Sequence, residues 1–325
     1  MSTHLLEEMS TLALDRLDRA RTVILLTVSP LEEHGPHLPL GVDAFIARHF
    51  ARSIAERLVA ERPDWSVVLV PTLYAGSSAF QAPGTITVRQ RVVRDAVVDY
   101  GESLARAGFR HILVANGHGG PGHLVALEEA AAIVSRRHRI TMASLSGHLA
   151  WEFRRGGFLP EIEAELGRPL SGEERQALAE DSHGGLWETS FILWLRPDLV
   201  DPAFRSLPPA RYSLLDTLRP NYPLKDGGQG YHGHPALADV SFAKASTEVL
   251  MREAMTVVNG LLDGRIRPAQ RRSPFFRVPF FRTNFWPAAA LTLGALAVIG
   301  WSRTRQPGGG LRPPSGPPPG SDCAG

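Results

Sequence analysis

Residues 22–43 read Thr-Val-Ile-Leu-Leu-Thr-Val-Ser-Pro-Leu-Glu-Glu-His-Gly-Pro-His-Leu-Pro-Leu-Gly-Val-Asp. The first seven, Thr22–Val28, form an apolar, β-branched run short enough for a strand buried on both faces. Two Glu, two His and an Asp follow at once around a Gly-Pro turn. Open α/β sheets build their sites at the carboxyl ends of strands, so this stretch marks both a fold class and its chemical centre.

Further apolar runs occur at Ser66–Pro71, His111–Ala115 and Ile140–Leu145. Segments with helical spacing lie between them, at Ala44–Ala60, Val88–Ala107 and Gly122–Ser135. This alternation predicts a mostly parallel sheet covered by helices on both faces, a three-layer α/β/α architecture. Residues 152–182 read as an insertion or lid, with a capping-box helix start at Ser171-Gly-Glu-Glu174. Residues 200–235 are an irregular Pro/Gly-rich stretch, and Ser246–Leu262 is a last amphipathic helix.

Two later segments add ligand chemistry: Asn116-Gly-His-Gly-Gly120 at a strand's end, and Asp181-Ser-His-Gly-Gly-Leu-Trp-Glu-Thr189. If residues 32–34 are extended, Glu32 and His34 point the same way. With Asp43, His118 and Glu188 they make three carboxylates and two imidazoles, a set suited to a pair of divalent ions. A carboxylate at Asp43 could bridge such a pair. Oxygen and nitrogen donors without sulfur favour Zn, Mn or Fe(II) over copper. Each residue also has a plainer reading. Asp43 could be a helix cap, His118 a turn residue, and His34 and His37 structural. His49, His111 and His138 read as surface or strand-end residues, and His123 as a support. His232 and His234 could line a pocket.

The net charge of +2 hides an asymmetry. Residues 265–325 carry nine Arg and one acid (Asp322), a surplus of eight, which leaves the rest of the chain at −6. An acidic body argues against nucleic acid as its ligand. The basic end suits anionic lipid headgroups. Residues 265–284 read as a basic linker. Residues 285–301 carry no charge, are flanked by Arg282 and Arg303, and include Trp286 and Trp301. At about 1.5 Å per residue this run covers roughly 26 Å, near a hydrocarbon core of about 30 Å. A transmembrane helix is therefore expected, with a Pro/Gly-rich tail over 302–325 and the body, 1–264, in the cytoplasm. No apolar leader is seen at the N-terminus. The single Cys323 excludes a disulfide framework or a cysteine nucleophile.

The segments 32–43, Pro83-Gly-Thr85, 116–120 and 183–190 together resemble the signature of the creatininase (creatinine amidohydrolase) family, in order and spacing. The resemblance covers residues 15–262. It implies an α/β/α fold, a dinuclear metal site and a homo-oligomer, often a hexamer. It also implies hydrolysis of C–N bonds in cyclic amides, formamides or short peptides. By motif position, Glu32, His34, Asp43 and His118 match metal ligands, with Asp43 bridging. Glu188 matches the ligand that completes the second metal. His183 matches the acid/base group. Ser78, Gly119, Trp187 and His232 are the candidate substrate contacts. Departures from the family pattern are Pro121 in place of Asn, Gly120 in place of creatininase's Glu, and Ser77–Ala82 in place of a polar segment. They point to an amide substrate other than creatinine. A membrane-tethered scaffold without turnover and a peptidase are the alternatives.

Overall fold

The computed structural model describes residues 2–292 and Gly316. Five strands form one sheet in the order β1-β3-β2-β4-β5, all parallel: β1 (Thr3–Leu5), β2 (Thr22–Ser29), β3 (Ser66–Tyr74), β4 (His111–Ala115) and β5 (Thr141–Ser144). The helices are α1 (Thr11–Asp15), α2 (Val42–Glu61), α3 (Gln90–Arg106), α4 (Pro121–His138), α5 (Ser146–Arg154), α6 (Leu159–Leu166), α7 (Gly172–Glu180), α8 (Leu186–Leu195), α9 (Leu214–Thr217) and α10 (Val240–Leu262).

The two-residue period of a strand explains the three layers. In β2, Ile24, Leu26 and Val28 face a core shared with α3 and α4 (Val93, Val97, Leu127, Val134). Val23 and Leu25 face the opposite way, onto α2 and α10 (Ile54, Leu58, Leu250, Val258). Every residue of β2 is buried, so the strand carries no polar alternation. Each fully buried aliphatic side chain contributes about 1.5–3 kcal/mol relative to exposure.

From β2 the chain moves outward to β3, then returns across to β4. The strand order thus reverses beside β2 and β4, and the loops after these two strands open onto one crevice.

Residues 152–182 are not a loose cover. Ile162 of α6 and Leu170 and Ala177 beside it form a core with Phe242, Ala245 and Val249 of α10. Ser171 and Glu174 form the expected capping box at α7.

The chain separates into two compact units, Met1–Thr283 and Asn284–Gly325. Residues 265–283, read from the sequence as a linker, belong to the first. They run in short 3-10 turns (Pro268–Arg271, Pro274–Arg277, Pro279–Phe281). In the second unit, residues 285–292 are helical. Among the described residues, no helix is long and apolar enough to cross a membrane. The expected membrane helix over 285–301 is therefore not supported: residues 293–301 of it, and the tail 302–325 apart from Gly316, lie outside the described residues.

The 3-10 segment is anchored on α4. Ser273 donates its backbone N–H (2.5 Å) and its hydroxyl (3.0 Å) to the buried Glu128 carboxyl. Burial pushes that carboxyl up to about 7, against the Ser273 hydrogen bonds and the Arg272 and Arg282 charges. The folded state therefore holds this proton more tightly than the unfolded chain does. The resulting stability is complete below about pH 4.5 and is lost as pH rises through about 7. Glu128→Gln should flatten that slope, read by urea unfolding at about pH 5 and about pH 7.5. An unchanged slope would assign the pH dependence elsewhere.

Candidate metal centre

β2 ends at Ser29, and the loop behind it carries Glu32 and His34 before α2 begins at Val42. Asp43 stands in the first turn of α2, where the helix dipole favours a negative charge. The loop after β4 carries His118, and Glu188 stands in the first turn of α8. Two sequence-distant loops are joined by a bridge in which His183 and His232 exchange backbone hydrogen bonds of 3.0 and 2.6 Å.

These elements bring all five expected ligands to one buried point. Asp43 and His118 have their ligand atoms within 4.8 Å of one another and of Glu32, and Asp43, His34 and Glu188 make a second such group. Asp43 is common to both. Its Oδ1 is 3.5 Å from His34 Nε2, and its Oδ2 is 3.4 Å from His118 Nδ1. Glu188 Oε2 is 3.7 Å from His34 Nε2. His183 joins Glu32 and His34 in a third group.

Each imidazole is oriented by its far nitrogen, as ligating histidines commonly are. His34 Nδ1 donates to the Glu32 carbonyl (2.9 Å), which leaves Nε2 facing the carboxylates. His118 Nε2 donates to the Ser77 carbonyl (3.1 Å), which leaves Nδ1 inward. Glu32 uses Oε1 to accept from the Phe80 N–H (2.5 Å), and Glu188 Oε2 accepts from the Gly184 N–H (2.6 Å).

The inward atoms are what a cation would use. Glu32 Oε2, His34 Nε2 and both Asp43 oxygens are buried and make no hydrogen bond. His118 Nδ1 comes within 2.9 Å of Glu32 Oε2, but the pair is not aligned as a hydrogen bond, so Glu32 Oε2 remains unsatisfied. Buried unpaired carboxylate atoms are costly, and a divalent ion is the partner that satisfies several at once. The residues present therefore fit such ions.

The electrostatics agree. Burial opposes charge on His34, but Asp43 and Glu188 outweigh it and push the imidazole up to about 10. His118 is likewise raised well above its ordinary value by Glu32 and Asp43 despite burial. Burial works against charge on Asp43 too, yet His34 and His118 hold it well below the usual carboxylate range. Burial pushes Glu188 up to about 7, against the pull of His34. The carboxylates gather positive charge from whatever source is present.

His183 differs. Burial, and then the charge of His34, push it down to about 4. Its Nε2 donates to the Glu33 carbonyl (2.5 Å), and its ring lies 4.1 Å from that of His34.

A cavity of about 970 Å³ opens over this centre. Ser78, Gly119 and His232 line it with Glu32, His118, His183 and Glu188. Trp187, the fourth expected substrate contact, does not reach it. Its ring packs among Phe153 and Phe191 and lines a smaller apolar cavity that shares Gly119 and Glu188. His232 Nδ1 accepts from the Tyr222 hydroxyl at 2.8 Å. His123 stands behind His118, its Nε2 3.1 Å from Asn116 Oδ1. His37 is structural, bonded to the Thr189 hydroxyl (2.9 Å). Gly120 has no room for a side chain, since a Cβ there would lie 2.4 Å from His118 Nε2.

Three residues of the site carried no role in the sequence reading. Asn116 accepts the His118 N–H (2.9 Å) and donates to its carbonyl (2.6 Å), which folds the ligand loop. Asp181 accepts from Leu186 N (3.0 Å) and Trp187 N (2.8 Å), which caps α8 and places Glu188. An Asp five residues before an apolar helix was the available signal. Tyr222 comes from the irregular stretch and gave none.

Gly117 sets the distance between the two ligand loops. A Cβ there would lie 2.2 Å from the Asp43 carbonyl oxygen. Gly117→Ala must therefore push α2 away from the β4 loop, and both metal content and melting temperature are expected to fall. Unchanged metal content would show that the loops adjust freely.

At the level of whole proteins, the chain is 30% identical over 179 residues to the mycofactocin precursor peptide peptidase of Mycolicibacterium smegmatis, covering 55% of this chain and 60% of that protein. It is 28% identical over 193 residues to the creatinine amidohydrolase of Pseudomonas putida, covering 55% and 66%. The chain thus spans less than two thirds of the length of these curated relatives. A mutant creatininase complexed with creatine shares the fold, with a TM-score of 0.61 at 22% identity, over 79% of this chain and 98% of that one. The family model described as creatininase, creatinine amidohydrolase, matches residues 7–258, most of the first compact unit, and the chain therefore belongs to the creatininase family.

Proposed function

We propose that the chain is a divalent-metal-dependent amidohydrolase that cleaves a C–N bond of an amide, cyclic amide or formamide. The observation that carries this reading is the sharing of Asp43 between two ligand groups, with one carboxylate oxygen turned to each. Glu32, Asp43 and His118 would hold one ion; His34, Asp43 and Glu188 would hold the other. Zn, Mn and Fe(II) suit these donors. When bound, such ions acidify a water and polarise a carbonyl.

The chain's own groups do the rest. His183 is neutral at ordinary pH, and its Nε2–H is spent on the Glu33 carbonyl. Its Nδ1 lone pair is then free to take a proton and return it to the departing nitrogen. Phe80 packs edge-on against the His183 ring at 4.7 Å and keeps water from that side. Ser78, the Gly119 backbone and the Tyr222–His232 pair offer polar groups along the cavity wall. The expected substrate is a small amide, and the expected assembly a homo-oligomer, a hexamer by family resemblance.

Peptide cleavage is a second reading. The similarity to a peptidase and a cavity of about 970 Å³ favour it.

The test is metal content of the full chain by elemental analysis, followed by turnover on cyclic amides, formamides and short peptides with and without the metal. About two ions per chain and metal-dependent hydrolysis of one class are expected. A fully loaded protein that hydrolyses none of them would leave the non-catalytic scaffold.

A further inference from the structure

The family match ends at residue 258, yet the chain continues over the active-site cavity. Residues 267–283 are fastened to α4 and its surroundings at four points. Ser273 is held by both oxygens of Glu128. Arg282 Nε donates to Glu129 Oε1 at 2.5 Å, and the Thr283 N–H donates to Glu129 Oε2 at 3.4 Å. Gln90 Nε2 donates to the Phe281 carbonyl at 2.8 Å. The Arg272 and Arg282 guanidiniums lie 4.3 and 4.0 Å from the centre of the Phe276 ring. The body is shaped to receive the strap: a Cβ on Gly147 would lie 2.3 Å from Glu128 Oε1 and 3.1 Å from Ser273 Cβ.

What the strap delivers is Phe275. This ring lines the cavity that also holds Glu32, His118 and Glu188. It meets Trp151 of α5 in a T-shaped contact at 5.7 Å and Phe281 at 5.3 Å. Trp151 lines the same cavity and remains 38% exposed, and Leu214 and Leu218, 86% and 78% exposed, line it too. The cavity therefore has a charged floor and, on a wall that also carries Arg154, Arg211 and Arg219, an apolar patch of Phe275, Trp151, Leu214 and Leu218. Substrate is the occupant that the continuity of patch and floor favours, because both line one cavity and one molecule can reach both.

We propose that the strap 267–283 sets Phe275 into the wall of the substrate cavity, and that Phe275 is a specificity-determining residue that selects amides bearing a flat apolar group. The proposal rests on the amidohydrolase reading for the reaction but not for the binding. An aromatic ring at the patch would pack on Phe275 and Trp151 while its amide reaches the floor.

The experiment uses the full-length, zinc-loaded chain with two probes that share a formamide group. Formanilide carries a ring and N-methylformamide does not. Both dissociation constants are measured by titration calorimetry, and turnover is followed in parallel. Phe275→Ala should weaken formanilide binding about fivefold, as loss of one aromatic contact implies, and leave N-methylformamide within twofold. Phe280→Ala serves as the control, because that ring is on the same strap, 50% exposed, meets Phe281 in a tilted contact and is not among the residues that line the cavity. It should change neither probe. Glu128→Ala, which releases the Ser273 anchor, should reproduce the Phe275→Ala pattern and speed tryptic cleavage at Arg271 and Arg272. Equal affinity of the two probes for the unaltered chain, or an equal loss for both in Phe275→Ala, overturns the proposal. Selective binding without any hydrolysis would instead count against the amidohydrolase reading and leave the wall in place.

Discussion

Asp43→Ala is expected to strip the protein of both metal ions and to reduce hydrolysis by on the order of a thousandfold or more. The several kcal/mol of charge stabilisation that bound ions supply convert at about 1.4 kcal/mol per tenfold in rate. Asp43 is 1% exposed, and its two oxygens face opposite imidazoles at 3.5 and 3.4 Å. Removing it leaves His34 with Glu188 on one side and Glu32 with His118 on the other, two donors in each group that shares it, and the remaining trio of Glu32, His34 and His183 would draw a donor away from both. Two donors do not make the three-ligand protein set that catalytic sites use. No other ligand sits in both groups, so no other single substitution should empty both positions. The loss should not reflect unfolding, because α2 is held along its length by Ile46, Ile54 and Leu58 in the core. Elemental analysis, with a melting curve on the same sample, decides the matter. A variant that keeps its full metal content would remove Asp43 from the bridging position.

The sheet and the convergence of Glu32, His34, Asp43, His118 and Glu188 were legible in the sequence for different reasons. β2 could be read because every one of its residues is buried, so hydrophobicity alone marks it. These candidate ligands were legible because their chemistry is unusual at their positions: Asp43 stands directly before Ala-Phe-Ile-Ala at a helix start, and His118 sits among glycines at a strand end. β1 was missed, since three residues at a sheet edge carry no period. Trp187 lines the adjoining apolar cavity rather than the one that opens over the candidate centre. Although it is next to Glu188, neighbours on a helix point about 100° apart, and its ring packs with Phe153 and Phe191 against the core. The strap was illegible because its order comes from partners far away in sequence. Glu128 and Ser273 are 145 residues apart, and a run of Pro, Phe and Arg reads as a linker until the buried carboxylates beneath it are known.

His183→Ala is expected to give the opposite pattern to Asp43→Ala: full metal content with turnover reduced about 10²–10⁴-fold, the range for a lost general acid or base. The expectation is not trivial, because the ligand atoms of His183, Glu32 and His34 lie within 4.8 Å of one another, so His183 could itself hold an ion. Two observations favour the proton-carrying role. Both groups that share Asp43 are complete without His183. The carboxylates raise His34 and His118, whereas His183 is pushed down to about 4 by its burial and by His34. Glu32 and Asp43 pull on His183 as well, but burial and the His34 charge, whose ring lies 4.1 Å away, outweigh them. With its Nε2–H committed to the Glu33 carbonyl, one nitrogen remains for proton transfer, as a shuttle requires. His183→Gln is the informative companion. An amide can still donate to the Glu33 carbonyl and keep the loop in place, but it cannot carry a proton, so it should be as slow as the alanine variant and better folded. Loss of one ion per chain in both variants would make His183 a ligand and move the search for the proton carrier to Glu33, whose carboxyl burial pushes up to about 7.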